Sequence, residues 1–532
     1  MRHFQAPRND GINVKPLSVL NVSDLTIADA QNGYRTGRFL PSDVVRACLA
    51  RIISFEPLLN AFISLNHDAL ADAKRCDSGL KEVSVRRSPL FGIPVVIKDN
   101  MNEAGRRTTA GYAGFASNDR IVDPAHGAFN GVDLFPVEDA TLVARLKAAG
   151  AIIIGKSNLP DFGLDGLRAQ SSHNGDTLNP YGHHFAPGAS STGGATAVSA
   201  GFGIVAVGTD TAGSILFPAS AQSLVGLKPT FGLVPIDGVF PGLSSHHDVA
   251  GPLARCVYDA AAMLDVMAGP TPKDPRTLGG APLHGAGGTG RYVDALQKGA
   301  FKNKRIGLFE PGIWAAPLHS SVARHYEEMI KVIEGLGATL VPIVFGDTDW
   351  KERWASRTAF PQTNSYLYGV DAFLMNLGGP NPDSRAAFKM KAGFGIGLGT
   401  TAPLFSLLSN PEVNVATDHP KMVAVMHEAA LLRQKYQDIL SRKKIDALFV
   451  PRSVSPLPDI TGDTLQYLAD QVVGTEVNEM GLPAITMPAG FLEDGRPIAV
   501  DIVGRAQFTE TELLALAFDF EQATQLRRPP RG

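Results

Sequence analysis

The stretch Gly188–Ala219, GASSTGGATAVSAGFGIVAVGTDTAGSILFPA, gathers serines, glycines and alanines and then runs straight into an apolar, β-branched segment. A flexible Gly/Ser linker is solvated, whereas this stretch interleaves its small residues with Val, Ile and Phe, so it reads as buried backbone in close approach. Its centre, FGIVAVGTD (Phe202–Asp210), is a continuous apolar run. Comparable runs lie in FGIPVVIKDN (Phe91–Asn100), Ala151–Ile154, KRIGLFEPG (Lys304–Gly312), GATLVPIVF (Gly337–Phe345) and IDALFVPR (Ile445–Arg452). Continuous rather than alternating hydrophobicity is the pattern of strands covered on both faces by helices. The predicted fold class is therefore α/β with a largely buried sheet.

Helical spacing surrounds these runs. From Ser23 to about Ala71 the pattern is helical, and SDVVRACLARIISF (Ser42–Phe55) repeats Val44, Val45, Leu49, Ile52 and Ile53 near a period of 3.6, with Ser42 as the expected N-cap. In AAGAIIIGKSN (Ala148–Asn158) a helix is expected to end at Gly150 before the strand Ala151–Ile154. The Gly- and Pro-rich region near 270–300 reads as a long surface connection. Residues 312–420 hold Trp314, Trp350 and Trp354 and many aromatics, readable either as core and lid packing or as a wall of an apolar substrate pocket.

Composition narrows the function classes. In 532 residues, 49 Lys and Arg nearly balance 52 Asp and Glu and are scattered, which gives no electrostatic footprint for nucleic acid or an anionic membrane. A small-molecule or peptide partner is the expectation. Cys48, Cys76 and Cys256 lie too far apart for a metal knuckle or a disulfide framework and read as core thiols. The opening MRHFQAPRNDGINVKPLSVL carries no apolar run of signal-peptide length, and no later segment approaches a membrane span, which predicts a cytoplasmic location.

Three chemistries compete for the Gly/Ser stretch. GAIIIGKS (Gly150–Ser157) and GAGGTG (Gly285–Gly290) match phosphate-loop patterns by letter. The first fills its loop with an apolar strand and the second follows no strand, so phosphate binding is set aside. Nucleophilic catalysis fits better, with a serine on a tight turn and glycine N–H groups free to face an oxyanion. Such a serine needs a base. Ser244, Ser245, His246, His247 and Asp248 are consecutive, and adjacent residues rarely converge as a triad. His183 and His184 are neighbours with no further ligand at helical spacing, so they read as surface or packing residues. Lys98, following Val95, Val96 and Ile97, would be a base only if burial lowered its pKa from about 10.4; otherwise it is a snorkelling strand end.

Taken together, GIPVVIKD (Gly92–Asp99), PGASSTGGATAVSAG (Pro187–Gly201), GTDTAGSILFPAS (Gly208–Ser220), GLKPTFGLVP (Gly226–Pro235), DVAGPLAR (Asp248–Arg255), NEMGLPAITMPAG (Asn478–Gly490) and IVGRAQFTETELLALAFDFEQ (Ile502–Gln522) resemble the amidase signature family in order and spacing. The resemblance implies one domain over 1–532 with a mixed central sheet. Within it fall a helical N-terminal layer at 18–85, a catalytic core at 86–270, a variable substrate-pocket region at 271–440 and the rest of the core at 441–532. It implies a Ser-cisSer-Lys triad: Lys98 as base, Ser190 as bridge after a cis Ala189–Ser190 bond, and Ser214 as nucleophile. Backbone N–H groups of Thr211, Ala212, Gly213 and Ser214 would form the oxyanion hole. No metal or organic cofactor is called for by this chemistry.

Several positions depart from the family's pattern. Ala189, Thr192 and Ala212 stand where glycine is usual, and Leu216 stands where arginine is usual. Ser191 remains an alternative bridge, its other reading being a side chain bonded to local backbone. Asp210, Asp248, Arg255, Asn478 and Pro483 read as scaffold. The texture is closest to the peptide amidase-like and aryl or aliphatic amidase branch, implying hydrolysis of bulky or apolar amides, with aromatics in 110–140 and 312–420 lining the pocket. The alternatives are a carbamate- or ester-cleaving member and a partner-dependent subunit of a glutamine amidotransferase. A homodimer is also compatible.

Overall fold

A computed structural model gives the fold and describes residues 20–80, 88–123, 127–242, 247–279, 291–308, 317–343, 363–402 and 404–531. Among these, the strands are β1 (Phe62–Leu65), β2 (Pro94–Lys98), β3 (Arg120–Asp123), β4 (Gly127–Asn130), β5 (Ile152–Ser157), β6 (Val205–Asp210), β7 (Val225–Lys228), β8 (Val249–Ala254), β9 (Arg305–Leu308), β10 (Thr339–Pro342), β11 (Ala447–Pro451), β12 (Ala484–Phe491) and β13 (Pro497–Gly504). Eleven form one sheet in the order β1-β5-β2-β6-β8-β7-β12-β13-β11-β9-β10, and β3 and β4 form a separate hairpin. The sheet is mixed: β5, β2 and β6 run parallel, as do β11, β9 and β10, and antiparallel pairs join the two groups. The apolar runs at Phe91, Phe202, Lys304, Gly337 and Ile445 each contain one of these strands, and the run Ala151–Ile154 opens β5, which continues to Ser157.

The sheet is buried on both faces because its strands send alternate apolar side chains into two different cores. Val95 and Ile97 of β2 and Val205 and Val207 of β6 face a core shared with α4 (Thr141–Ala148) and α7 (Val257–Met267). Val96 and Ala206 face the opposite core, with Val45 and Ile52 of α2 (Pro41–Leu59), Ala69 and Ala73 of α3 (Ala69–Gly79) and Ala195 and Val198 of α5 (Thr192–Ala200). Full burial of each Val or Ile contributes about 1.5–3 kcal/mol, and these strand residues are 0% exposed. The centre of the sheet is thus a rigid platform.

The N-terminal segment is helical with two differences from expectation: Phe62–Leu65, inside the stretch read as helical, extends as β1 and pairs antiparallel with β5, and one helix start shifts. α2 starts at Pro41 rather than after Ser42. Proline suits the first helical position, where no N–H is needed, and Asp43 Oδ2 accepts the Leu40 N–H at 2.9 Å. Ser42 instead donates its N–H to Asp77 Oδ1 (3.0 Å), tying α2 to α3. Among the described residues, no helix is long and apolar enough to cross a membrane. Trp314, Trp350, Trp354, Ser244, Ser245, His246 and the GAGGTG stretch lie outside the described residues.

Candidate active site

Parallel strands β5, β2 and β6 reach the same edge of the sheet, and each ends in a polar residue. Ser157 is the register partner of Lys98, and β6 ends at Asp210. Because Val95, Val96 and Ile97 anchor β2 in both cores, Lys98 is held 1% exposed. Two segments close over it: Gly188–Ser191, which leads into α5, and Thr211–Ile215, which leads into α6 (Leu216–Ala221). The Ala189–Ser190 peptide is cis. The Ser191 N–H donates to the Ser214 carbonyl at 3.1 Å, locking the segments together. Sequence positions 98, 190 and 214 are therefore brought to one place.

Lys98 Nζ lies 2.7 Å from Ser190 Oγ, 2.9 Å from Thr209 Oγ1 and 3.2 Å from Ser191 Oγ. Burial pushes the Lys98 amine down to about 7, against the attraction of Asp210 and Asp248 for the ammonium. Desolvation outweighs those carboxylates because both already face other donors. Asp210 accepts the N–H groups of Gly213 and Ile215 (2.7 Å each) and Asn478 Nδ2 (2.9 Å). Asp248 accepts Thr211 Oγ1 (2.7 Å) and the Gly242 N–H (2.8 Å). Asp210 and Asn478 thus have the scaffold role expected of them, fixing the turn that presents Ser214. Arg255 is also scaffold, donating to the carbonyls of Leu25, Val198 and Gly203.

One expected oxyanion donor is otherwise engaged: the Gly213 N–H donates to the Asp210 carboxylate at 2.7 Å. Glycine is still demanded there, since φ is +110° and a Cβ would lie 2.2 Å from Phe217 Cζ. Gly213→Ala is expected to cost about 1–3 kcal/mol through overpacking and strain and to lower the thermal midpoint and turnover together. A variant with the parent's unfolding midpoint would show that Phe217 yields without penalty. Gly208 is required by close approach instead: a Cβ would come within 2.5 Å of Ser191 Oγ.

Two residues escaped the sequence reading. Thr209 and Asn100 are 8% and 6% exposed, and Asn100 Nδ2 lies 3.1 Å from Thr209 Oγ1, the atom that also meets Lys98. The sequence shows a hydroxyl closing the apolar run Val205–Gly208; its place beside the lysine comes only from the pairing of β2 with β6. Lys156, from the phosphate-loop look-alike, is 0% exposed and pairs with Asp99 at 2.8 Å, so it cannot reach a phosphate. His183 and His184 are exposed.

The segments expected to line a pocket meet beside this edge. Residues from 110–134, Phe162, Phe240 and residues from 366–408 form one apolar cluster. Phe162 stacks on Phe240 (5.5 Å between ring centres) and on Phe405 (5.2 Å), and Ala212 packs against the same cluster. Gly163, next in chain, stands so close to Ser190 that a Cβ there would be 3.2 Å from its Oγ. The aromatic wall therefore reaches both serine segments.

Comparison with known proteins gives a consistent outcome. A family model described as Amidase matches residues 43–514. A glutamyl-tRNA(Gln) amidotransferase subunit of Alkaliphilus metalliredigens is 32% identical, with 94% of this chain and 97% of that protein aligned. The native peptide amidase from Stenotrophomonas maltophilia superimposes with a TM-score of 0.79 at 30% identity, covering 96% of this chain and 98% of that one. The structure of the corresponding glutamyl-tRNA(Gln) amidotransferase subunit from Thermotoga maritima gives 0.67 at 25% identity, covering 96% and 98%.

Proposed function

This chain belongs to the amidase family, and from that premise we propose that it hydrolyses a carboxamide C–N bond through an acyl-enzyme on Ser214, with Ser190 and Lys98 as proton relay. The observation that carries the proposal is a buried amine, lowered to about 7, at 2.7 Å from a hydroxyl on the same edge as Ser214. At neutral pH such an amine is substantially uncharged and able to accept a proton.

In the proposed reaction Ser214 Oγ attacks the amide carbon, its proton passes to Ser190 Oγ, and the Ser190 proton passes to Lys98 Nζ. The carbonyl π electrons move to oxygen, where N–H groups of Thr211, Ala212 and Ser214 receive the charge. A well-placed donor of this kind contributes about 3 kcal/mol. As the carbonyl re-forms and the C–N bond breaks, Lys98 returns its proton to Ser190, which protonates the leaving amine. Water then attacks the ester on Ser214 by the same relay, releasing the acid and restoring all three groups.

Substrate choice rests on the wall around Ala212. Its Phe and Tyr side chains favour bulky or apolar aryl, acyl or peptide amides. The higher structural similarity to a peptide amidase than to an amidotransferase component supports hydrolysis by the chain alone. A panel of anilides, primary amides, peptide amides, esters and carbamates, read by released amine or alcohol, tests this. Turnover of apolar amides by the purified chain is expected. Preference for short polar amides would reject the pocket reading, faster ester or carbamate cleavage would favour that alternative, and activity only on glutamine with an added partner would favour the amidotransferase reading.

A further inference from the structure

Resting on the proposed relay, we infer that Ser191 and Thr209 are positioning residues that hold the two N–H bonds of uncharged Lys98 and so aim its lone pair at Ser190. A neutral amine offers two hydrogens and one lone pair, and three hydroxyls surround this one, at 2.7, 2.9 and 3.2 Å. Which hydroxyl faces the lone pair decides which residue can pass a proton.

The neighbours fix the role of Ser191, and the distances assign the other two. Ser191 Oγ donates its own hydrogen to the Thr209 carbonyl at 3.1 Å and accepts the Thr209 N–H at 3.2 Å. With that hydrogen engaged, Ser191 can only accept from Lys98. It is therefore excluded as the bridging serine, although sequence alone leaves it open. Thr209 Oγ1 accepts from Asn100 Nδ2 at 3.1 Å and takes the second N–H of Lys98. With Thr209 assigned the second N–H, the lone pair falls to Ser190, the shortest contact, whose O–H then donates to Lys98 and is ready to transfer. A lysine is otherwise a freely rotating set of donors; here its rotation about the terminal C–N bond is fixed by two acceptors.

The same acceptors also stabilise the ammonium formed when Ser190 delivers its proton. The charged groups facing Lys98 are Asp210 at the end of β6 and Asp248 just before β8. Asp99, next in chain, is neutralised by Lys156 of β5. None of these changes when Thr209 is replaced.

The test uses Thr209→Val, which keeps shape and removes the oxygen, with Thr209→Ser as the restoring variant and Ser191→Ala as the second deletion. The readout is the pH dependence of Ser214 labelling by a fluorophosphonate, which requires no known substrate, alongside kcat and KM on the best amide. Thr209→Val is expected to lower the labelling rate and kcat about 10- to 100-fold, the lower range for a proton-transfer contribution, with KM little changed. Loss of an acceptor from the ammonium shifts its acid limb down by about one pH unit. Thr209→Ser restores both, and Ser191→Ala shifts the limb in the same direction. An acid limb that stays put or moves up, as entry of water into a loosened site would cause, overturns the inference. Should Thr209→Val not fold, the direction of the shift in Ser191→Ala decides. The parent reading fails separately, if Ser214→Ala still labels or turns over.

Discussion

Ser214→Ala is expected to abolish fluorophosphonate labelling and to lower turnover by about five to six orders of magnitude, the scale of losing an activated nucleophile. The substitution removes one oxygen and leaves the support of the turn untouched. Asp210 still receives the N–H groups of Gly213 and Ile215, and the position 214 carbonyl still accepts from Ser191. Fold and thermal midpoint should therefore match the parent, making the loss chemical. Intact-mass measurement after phosphonate treatment gives the answer directly. An adduct forming at the parental rate would move the nucleophile to another residue.

Replacing Lys98 should be nearly as severe. Lys98→Ala is expected to reduce turnover about 10³- to 10⁴-fold, the upper range for a general acid–base group, and to erase the acid limb of the pH profile. In the parent that limb should lie near pH 7, with activity rising as pH passes through it, because only the uncharged amine accepts the Ser190 proton. A parent profile flat through that region, or an unchanged one in the variant, would remove lysine from the relay. Lysine to arginine is no rescue, since a guanidinium stays protonated.

The same burial predicts that replacing Lys98 moves stability in the opposite direction to activity. Lys98 titrates near 7 in the fold and near 10.4 when unfolded, so between those values the unfolded chain binds more protons. This group's contribution to stability therefore rises with pH across that window. Lys98→Met keeps the aliphatic volume and removes the desolvated amine, so it should melt higher than the parent at neutral pH and show a shallower rise towards pH 10. Thermal unfolding of the pair at several pH values separates this term from all other titrating groups.

What sequence could say about this protein was set by local rules. Apolar β-branched runs such as Val95–Ile97 and Val205–Val207 exclude water on both faces wherever they are placed, so an α/β fold with a buried sheet was legible. The Gly/Ser stretch was legible as buried, closely packed backbone, while its chemistry came from the order and spacing of motifs resembling the amidase signature family. Periodicity also found α2, missing only that Pro41 opens it and that Ser42 binds Asp77 across to α3.

The tertiary structure decided what depends on partners distant in sequence. Strands β2 and β6 are over 100 residues apart in chain yet adjacent in the sheet, which brings Thr209 to Lys98 and makes it a neighbour no local pattern could predict. Asp210 folds back on Gly213 and takes a donor that the family resemblance had assigned to an oxyanion. The choice between Ser190 and Ser191 turns on which hydroxyl hydrogen already has an acceptor. Residue identity fixes how many hydrogens and lone pairs each group carries; only the packed fold fixes which of them meet.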